Sequence, residues 1–280
     1  MSNVSLYKKK VAVIAGSGGL PEEVIGGLKK LNVDFAIIRF SDTHSPIFDS
    51  NRVINATFEK IADLFLELKY HEFTSIVCCG YMRRPTFDLN MVDQDSQAIL
   101  EPVLNNFKFG DEAIFSSLLA IFKQNRLQPL SIREFIPNSF PTSEFLTNLT
   151  PTSSNITDAL RSEEILRIIS PADLGQSVVV RNGSCLAVET ALGTDSMLNS
   201  LKFTNNLQGD FGIGGVLYKA PKIEQNPFLD VPVIGKQTIR GVKKAKLSGV
   251  VIKNSSVVVL ELEETINLAN ELGIFIWSKK

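Results

Sequence analysis

The stretch Lys10–Ala15 constrains this chain most. Val11–Ala15 is apolar at every position and runs directly into Gly16-Ser17-Gly18-Gly19-Leu20-Pro21. A strand apolar on both faces has to be covered on both, as strands of parallel sheets are. A glycine turn that feeds a helix is how such a sheet begins its first crossover. The same grammar continues. Pro21–Leu31 reads as a helix, Asp34–Phe40 and Arg52–Ala56 as strands, and Glu59–Tyr70 as a helix with Ile61, Leu64, Phe65 and Leu68 at the i, i+3, i+4, i+7 spacing of one face. Thr74–Cys79 is a further buried strand, followed by helices near Gln94–Asn106 and Glu112–Asn125 and a strand near Pro129–Phe135. This alternation predicts an α/β domain built on a doubly wound parallel sheet.

From Pro137 to Thr157 the character changes: Pro, Ser, Thr and Asn fill 15 of 21 positions. That is loop composition, and it divides the chain into a first domain over 1–136, a linker over 137–154 and a second domain over 155–280. In the second domain a helix near Ile156–Ile169 precedes two β runs, Ser177–Arg181 and Cys185–Glu189, joined by Asn182-Gly183, the strongest short hairpin signal. Strands follow at Gly215–Lys219, Gly249–Lys253, Ser256–Leu260 and Ile274–Trp277. Helices fill Lys236–Lys246 and Glu263–Leu272, the second closed by Gly273. The expectation here is a distinct mixed α+β domain that does not repeat the first.

Composition removes several classes of function. A net charge of −1 supplies no global basic field for nucleic acid. Only two histidines, His44 and His71, and three cysteines, Cys78, Cys79 and Cys185, occur in the chain, which argues against a structural zinc site, whose usual ligands are four Cys or His. Neither histidine is accompanied by a G-x-S-x-G elbow. Unpaired cysteines suit a reducing cytoplasm. The lysines Lys8-Lys9-Lys10 precede an apolar run too short for a signal peptide, and Ala113–Phe122 falls short of a membrane span. A cytoplasmic protein is expected.

At the glycine loop, the free N–H groups of a helix start can hold phosphate oxygens, with Gly16, Gly18, Gly19 and Leu20 as the contributing residues. The alternative is a tight turn whose glycines serve packing alone. The loop is not a clean G-x-G-x-x-G, since Pro21 takes the place of the third glycine. The second strand ends in Arg39-Phe40-Ser41, without the acid expected on an NAD ribose. Arg39 leaves an NADP reading as a remote option.

The second half concentrates hard oxygen ligands, Glu189, Asp195 and Asp230, with Lys219 and Lys222 nearby in sequence. Carboxylates together with phosphate oxygens suit Mg²⁺ or Mn²⁺. Such an ion polarises a phosphoryl oxygen while lysines offset developing charge. Hydrolysis of a phosphoric anhydride fits an inventory that needs no histidine or cysteine. Each residue also has a plainer role: Thr194 or Asp195 as a helix cap, Glu189 as a solvated strand end, the lysines as surface charge. Asp111, in Gly110-Asp111-Glu112, reads most simply as a cap. Asp230, between prolines, is hardest to explain structurally.

Taken in order, several segments resemble the LpxI-type UDP-2,3-diacylglucosamine pyrophosphatases of lipid A biosynthesis in Gram-negative bacteria. They are Ala15–Pro21, Arg84-Pro85, Gly110–Ala113, Asp173-Leu174-Gly175-Gln176, Ala187-Val188-Glu189, Gly193-Thr194-Asp195, Leu217–Lys222 and Asp230-Val231-Pro232-Val233-Ile234-Gly235. The resemblance implies a Rossmann-like N-terminal domain and a distinct C-terminal domain with substrate bound between them. It implies hydrolysis of a lipid-linked sugar nucleotide to UMP and 2,3-diacylglucosamine 1-phosphate, with water attacking the glucosamine-side phosphorus and Mg²⁺ as the expected ion. Asp230 matches the family's essential aspartate. Arg84, Asp111, Gln176, Thr194, Lys219 and Lys222 fall in the matching segments and are expected to bind substrate; Glu189 and Asp195 are expected to join Asp230 at the metal. A homodimer, and peripheral contact with the cytoplasmic face of the inner membrane, fit the same resemblance. Phe228 stands where the family commonly has arginine; if that arginine grips phosphate, its loss removes a charge-assisted contact worth ~1.5–3 kcal/mol. That departure keeps a second reading open, a sugar-nucleotide or lipid-binding protein with weakened or lost hydrolysis.

Overall fold

The run Lys10–Ala15 forms β1, and every residue after Lys10 is buried. The computed structural model describes residues 9–40, 52–82, 88, 90–106, 108, 111–204, 214–223, 228 and 230–280. These fall into two compact units, one of residues 1–137 with 226–230, the other of residues 138–225 with 231–280.

In the first unit, β1 is followed by α1 (Leu20–Lys30), β2 (Asp34–Phe40), β3 (Val53–Ala56), α2 (Ile61–Tyr70), β4 (Ser75–Cys79), α3 (Gln94–Asn106), α4 (Asp111–Gln124) and β5 (Gln128–Pro129). The strands form one parallel sheet in the order β3-β2-β1-β4-β5. One face packs Ala12, Ile14, Ile38 and Ile76 against Leu64, Phe65 and Leu68 of α2, Leu100 of α3 and Leu119 and Phe122 of α4. The other packs Ala15 and Ile37 against Ile25 of α1. Helices on both faces account for the uninterrupted apolar strands, as the sequence predicts. Since β2 lies on one side of β1 and β4 on the other, the chain reverses its winding between β1 and β4. Open α/β sheets bind ligands at the carboxyl ends of such a pair.

One strand is much shorter than its sequence suggests. The predicted strand Pro129–Phe135 contributes only Pro129 to β5 and then turns, with Ile132–Glu134 forming a 3₁₀ turn. The cause is a capping box: Arg133 N–H donates to Ser131 Oγ at 3.3 Å, and Ser131 N–H to Glu134 Oε1 at 3.2 Å. A reciprocal cap of this kind starts a helical turn and competes with ladder pairing.

Cys78 and Cys79 lie on β4 as free thiols. Burial pushes the Cys78 thiol up to about 12; burial, and next the neighbouring Cys78, raises Cys79 further. Since the thiolate is the reactive form, we expect a thiol reagent at pH 8 to label the exposed Cys185 in the folded protein and all three cysteines only after denaturation. Rapid labelling of three thiols in native protein would show that β4 opens readily.

The second unit holds α5 (Ser153–Ile169), β6 (Ser177–Arg181), β7 (Ser184–Val188), α6 (Gly193–Thr204), β8 (Val216–Lys219), β9 (Val233–Ile234), α7 (Lys236–Lys244), β10 (Gly249–Lys253), β11 (Val258–Val259), α8 (Leu262–Leu272) and β12 (Phe275–Lys279). A mixed sheet runs β12-β10-β8-β6-β7, with β8, β10 and β12 parallel and β6 antiparallel to both neighbours. Val178, Tyr218, Val251 and Trp277 face Ala159 and Leu166 of α5. Val179, Leu217, Val250 and Ile252 face Leu198, Ile239, Val242 and Ala269 from α6, α7 and α8. At the Asn182-Gly183 turn both φ angles are positive, 50° and 77°, as a type I′ hairpin requires. Both turn N–H groups donate to the buried Asp158 carboxylate of α5, at 3.1 and 2.8 Å.

The predicted strand Ser256–Leu260 contracts to β11, which among the described residues pairs only with the two-residue β9. The polar segment before α5 lacks regular structure from Phe140 to Thr152 and is fastened, while Ser153–Thr157, read in the sequence as loop, open α5. Leu146 N–H donates to Ile276 O at 3.1 Å, Ser278 N–H to Glu144 O at 2.7 Å, and Ile276 N–H to Thr147 Oγ1 at 2.9 Å. It therefore covers the β12 edge, which would otherwise expose unpaired backbone groups. Among the described residues, no helix is long and apolar enough to cross a membrane.

Candidate functional site

The glycine loop sits at the switch point of the first sheet, and its glycines divide into two kinds. Gly16 N–H donates to Cys79 O at 2.8 Å, while Ser17 and Tyr81 exchange backbone bonds of 2.8 and 2.9 Å. A methyl group on Gly16 would lie 2.5 Å from Tyr81 O. Gly16 is thus required for the ends of β1 and β4 to close, the packing role of a glycine. Gly18, with φ +93° and open space where a Cβ would stand, and Gly19 are both exposed. They lead into α1, which has no side-chain cap, and Pro21 in its first turn has no N–H to donate. Leu20 is buried, so only its backbone can serve a ligand. Glu22 and Glu23 already complement the positive end of the helix dipole, which limits what an anion gains there. We expect Gly16→Ala to cost about 1–3 kcal/mol by overpacking, read as a lowered denaturation midpoint. An unchanged midpoint would mean that the β1 and β4 ends separate without penalty. Arg84 and the Asp111 side chain lie outside the described residues; Asp111 is the first residue of α4.

The second unit gathers several of the expected residues on the α6 face of its sheet. Lys219 ends β8 and is register partner to Ser177 at the start of β6. Glu189 follows β7, and its N–H donates to Ser177 O at 2.9 Å. Glu189, Ser177 and Lys219 therefore form one cross-strand row, where facing side chains are neighbours. Thr194, in the first turn of α6, joins the ends of this row: Lys219 Nζ donates to Thr194 Oγ1 at 2.5 Å, and Thr194 Oγ1 donates to Glu189 Oε1 at 2.9 Å. Lys219 and Glu189 form an ion pair at 3.6 Å, their side chains only 7% and 11% exposed. Two polar atoms of the row are buried without a hydrogen bond, Ser177 Oγ and Glu189 Oε2.

Beside this row, Lys222 forms an ion pair with Asp173, both side chains largely buried. Asp173 adopts a left-handed conformation, φ 52°, where a 3₁₀ turn ends. Ala220 N–H donates to Gln176 O at 3.0 Å. Gly175 packs so closely on the Glu189 backbone that a Cβ would collide with it. Asp195 is exposed in the first turn of α6, where the helix dipole favours an acid. The structure thus joins Glu189, Thr194 and Lys219 directly. Asp230, half-buried, belongs to the first unit by its contacts, and Phe228 is exposed. Sequence reading overlooked Asp173 and Ser177 as participants. Asp173 lay in a segment already notable for polar groups, whereas Ser177 looks like any strand start until its register with Lys219 is known.

The carboxylates and the threonine hydroxyl offer only hard oxygen donors. Among the described residues no three His, Cys, Asp or Glu form a metal-holding group. Mg²⁺ does not require one, since it is commonly held by one or two carboxylates with substrate phosphates and water completing the shell. Glu189 Oε2, which faces Lys219 Nζ at 3.6 Å but is buried without a hydrogen bond, is the oxygen of the row with capacity left for a hard cation.

A parallel switch-point sheet in one unit and a buried lysine–threonine–glutamate row in the other define a two-domain protein suited to phosphate chemistry. Residues 10–139 match the sequence model of the LpxI N-terminal domain, and residues 142–277 that of the LpxI C-terminal domain. A Caulobacter vibrioides protein named UDP-2,3-diacylglucosamine pyrophosphatase LpxI is 28% identical over 271 residues, which cover 96% of each chain. The chain belongs to the LpxI family, and it is an enzyme of the hydrolase class.

Proposed function

We propose that this protein hydrolyses the pyrophosphate bond of UDP-2,3-diacylglucosamine in the cytoplasm, releasing UMP and 2,3-diacylglucosamine 1-phosphate for lipid A synthesis. The observation that carries this reading is the alignment with the Caulobacter relative over 96% of both chains. The buried row of the second unit is chemically consistent with it.

Water adds to one phosphorus, the bridging P–O bond breaks, and the departing phosphate takes the electron pair. Asp230 supplies the carboxylate at the reacting phosphorus, and Glu189 and Asp195 the further hard oxygens that would hold Mg²⁺ or Mn²⁺. A bound divalent ion would polarise a phosphoryl oxygen and lower the pKa of water. Lys219 is held by a hydrogen bond to Thr194 and an ion pair with Glu189. Its ammonium, fixed between Thr194 and Glu189, is proposed to offset the negative charge that develops on a phosphate. Lys222, Gln176, and the exposed backbone of Gly18 and Gly19 are proposed to complete the contacts to substrate.

The test is UMP release from UDP-2,3-diacylglucosamine by purified protein with Mg²⁺, with Mn²⁺ and with chelator. Release that requires the ion is expected. Substrate bound without release would instead support the second reading, a non-catalytic binder, which the exposed Phe228 two residues before Asp230 favours.

A further inference from the structure

Helix α7 carries Lys236, Arg240, Lys243 and Lys244, and Lys246 follows it; no acid occurs among residues 236–246 of a chain whose net charge is −1. At 3.6 residues per turn, the four helical cations fall within an arc of about 100°. That arc is turned away from Thr238, Ile239 and Val242, which are buried against the core. Lysines in a last turn complement the helix dipole, which accounts for Lys243 and Lys244 but not for the others. Arg240, in mid-helix, gains nothing from the dipole. Lys236 sits at the end where a cation is disfavoured and is held by an ion pair with Glu261. Lys243 donates to Leu272 O at 2.7 Å. Among the described residues, the side chains of Arg240, Lys244 and Lys246 have no ion-pair or hydrogen-bond partner, and all three are exposed. A one-sided stripe of uncompensated cations is complementary to a surface of many fixed negative charges.

We infer that the exposed face of α7 docks on an anionic phospholipid bilayer. The choice of a bilayer over other polyanions rests on the proposed function, because a substrate with two acyl chains resides in a membrane and has to be collected there. The helix begins six residues after Asp230, so docking by α7 would hold the segment that carries the proposed catalytic carboxylate near the lipid surface. Each cation close to an anionic leaflet adds a modest attraction that falls off within a Debye length. The association is therefore weak, reversible and sensitive to salt.

The experiment is vesicle co-sedimentation of the full chain without substrate. Vesicles of phosphatidylglycerol mixed with phosphatidylcholine are compared with vesicles of phosphatidylcholine alone. Wild type is expected to bind the anionic vesicles at low salt, to leave them at high salt and to ignore the neutral ones. The double variant Arg240→Glu/Lys244→Glu should lose binding about tenfold or more. Lys29→Glu/Lys30→Glu, the same charge change on exposed positions of α1, should keep most of it. Thermal melting of both variants shows whether they remain folded, and UMP release from detergent-dispersed substrate should be unchanged in the α7 variant. The proposal is overturned if wild type ignores anionic vesicles, if the two variants lose binding equally, or if a short DNA duplex binds wild type as tightly at the same salt. Vesicle binding is read without turnover, so a failure here is separable from a failure of hydrolysis.

Discussion

Asp230→Ala is expected to reduce UMP release by at least about 10³-fold, the scale of removing a group that stabilises charge at a reacting centre. Asp230→Asn should do nearly as much, since it keeps the side-chain volume and one oxygen but abolishes the negative charge that a metal ion or a developing positive charge requires. Asp230 is only half-buried, so neither change should shift the melting temperature by more than a few degrees. UMP should still raise the melting temperature of both variants, because a ligand that binds only the folded state stabilises it. Rates close to wild type in Asp230→Ala would remove this carboxylate from the reaction. Release lost together with folding would leave its chemical role open, and the asparagine variant guards against that outcome.

The second large effect concerns Glu189. With its ammonium buried, Lys219 depends on this carboxylate, and breaking such a pair from one side costs about 3–5 kcal/mol, because a charge is left uncompensated. Glu189→Ala should lower the denaturation midpoint accordingly. Glu189→Gln keeps an oxygen for the Thr194 hydroxyl and should cost less. Glu189→Gln combined with Lys219→Met should recover part of the loss, since neither partner then carries charge. The same variants examine the metal assignment: if Glu189 holds the ion, Glu189→Gln raises the Mg²⁺ concentration needed for half-maximal UMP release. If Glu189 only positions Lys219, that concentration stays put while substrate affinity falls. A Glu189→Ala protein as stable as wild type would mean that water or another carboxylate reaches Lys219.

Local pattern accounts for much of the architecture. The continuous apolar runs of β1, β2 and β4 announced strands covered on both faces, and the helices with regular apolar spacing formed close to the expected positions. Asn182-Gly183 announced its hairpin because few other residues accept two consecutive positive φ angles. Reading failed where a local signal competed with periodicity. The Ser131–Glu134 capping box ended β5 early, and α6 was legible only as a helix capped by Thr194 or Asp195, both of which lie inside its first turn. The exposed basic arc of α7 likewise becomes visible only once its buried face is known.

The site divides along the same line. The residue types for anhydride hydrolysis without histidine or cysteine, and the ordered segments that mark an LpxI chain, are properties of composition and order, and both are present in the unfolded chain. That Thr194 bridges Lys219 and Glu189, that Ser177 completes their row, and that Gly16 closes the ends of β1 and β4 are not. Those relations depend on β6 pairing antiparallel with β8 in one register, and on β4 lying beside β1 with β2 on its far side. Strand register and strand order are set by the packing of whole faces, so only the tertiary structure could decide which polar side chains meet.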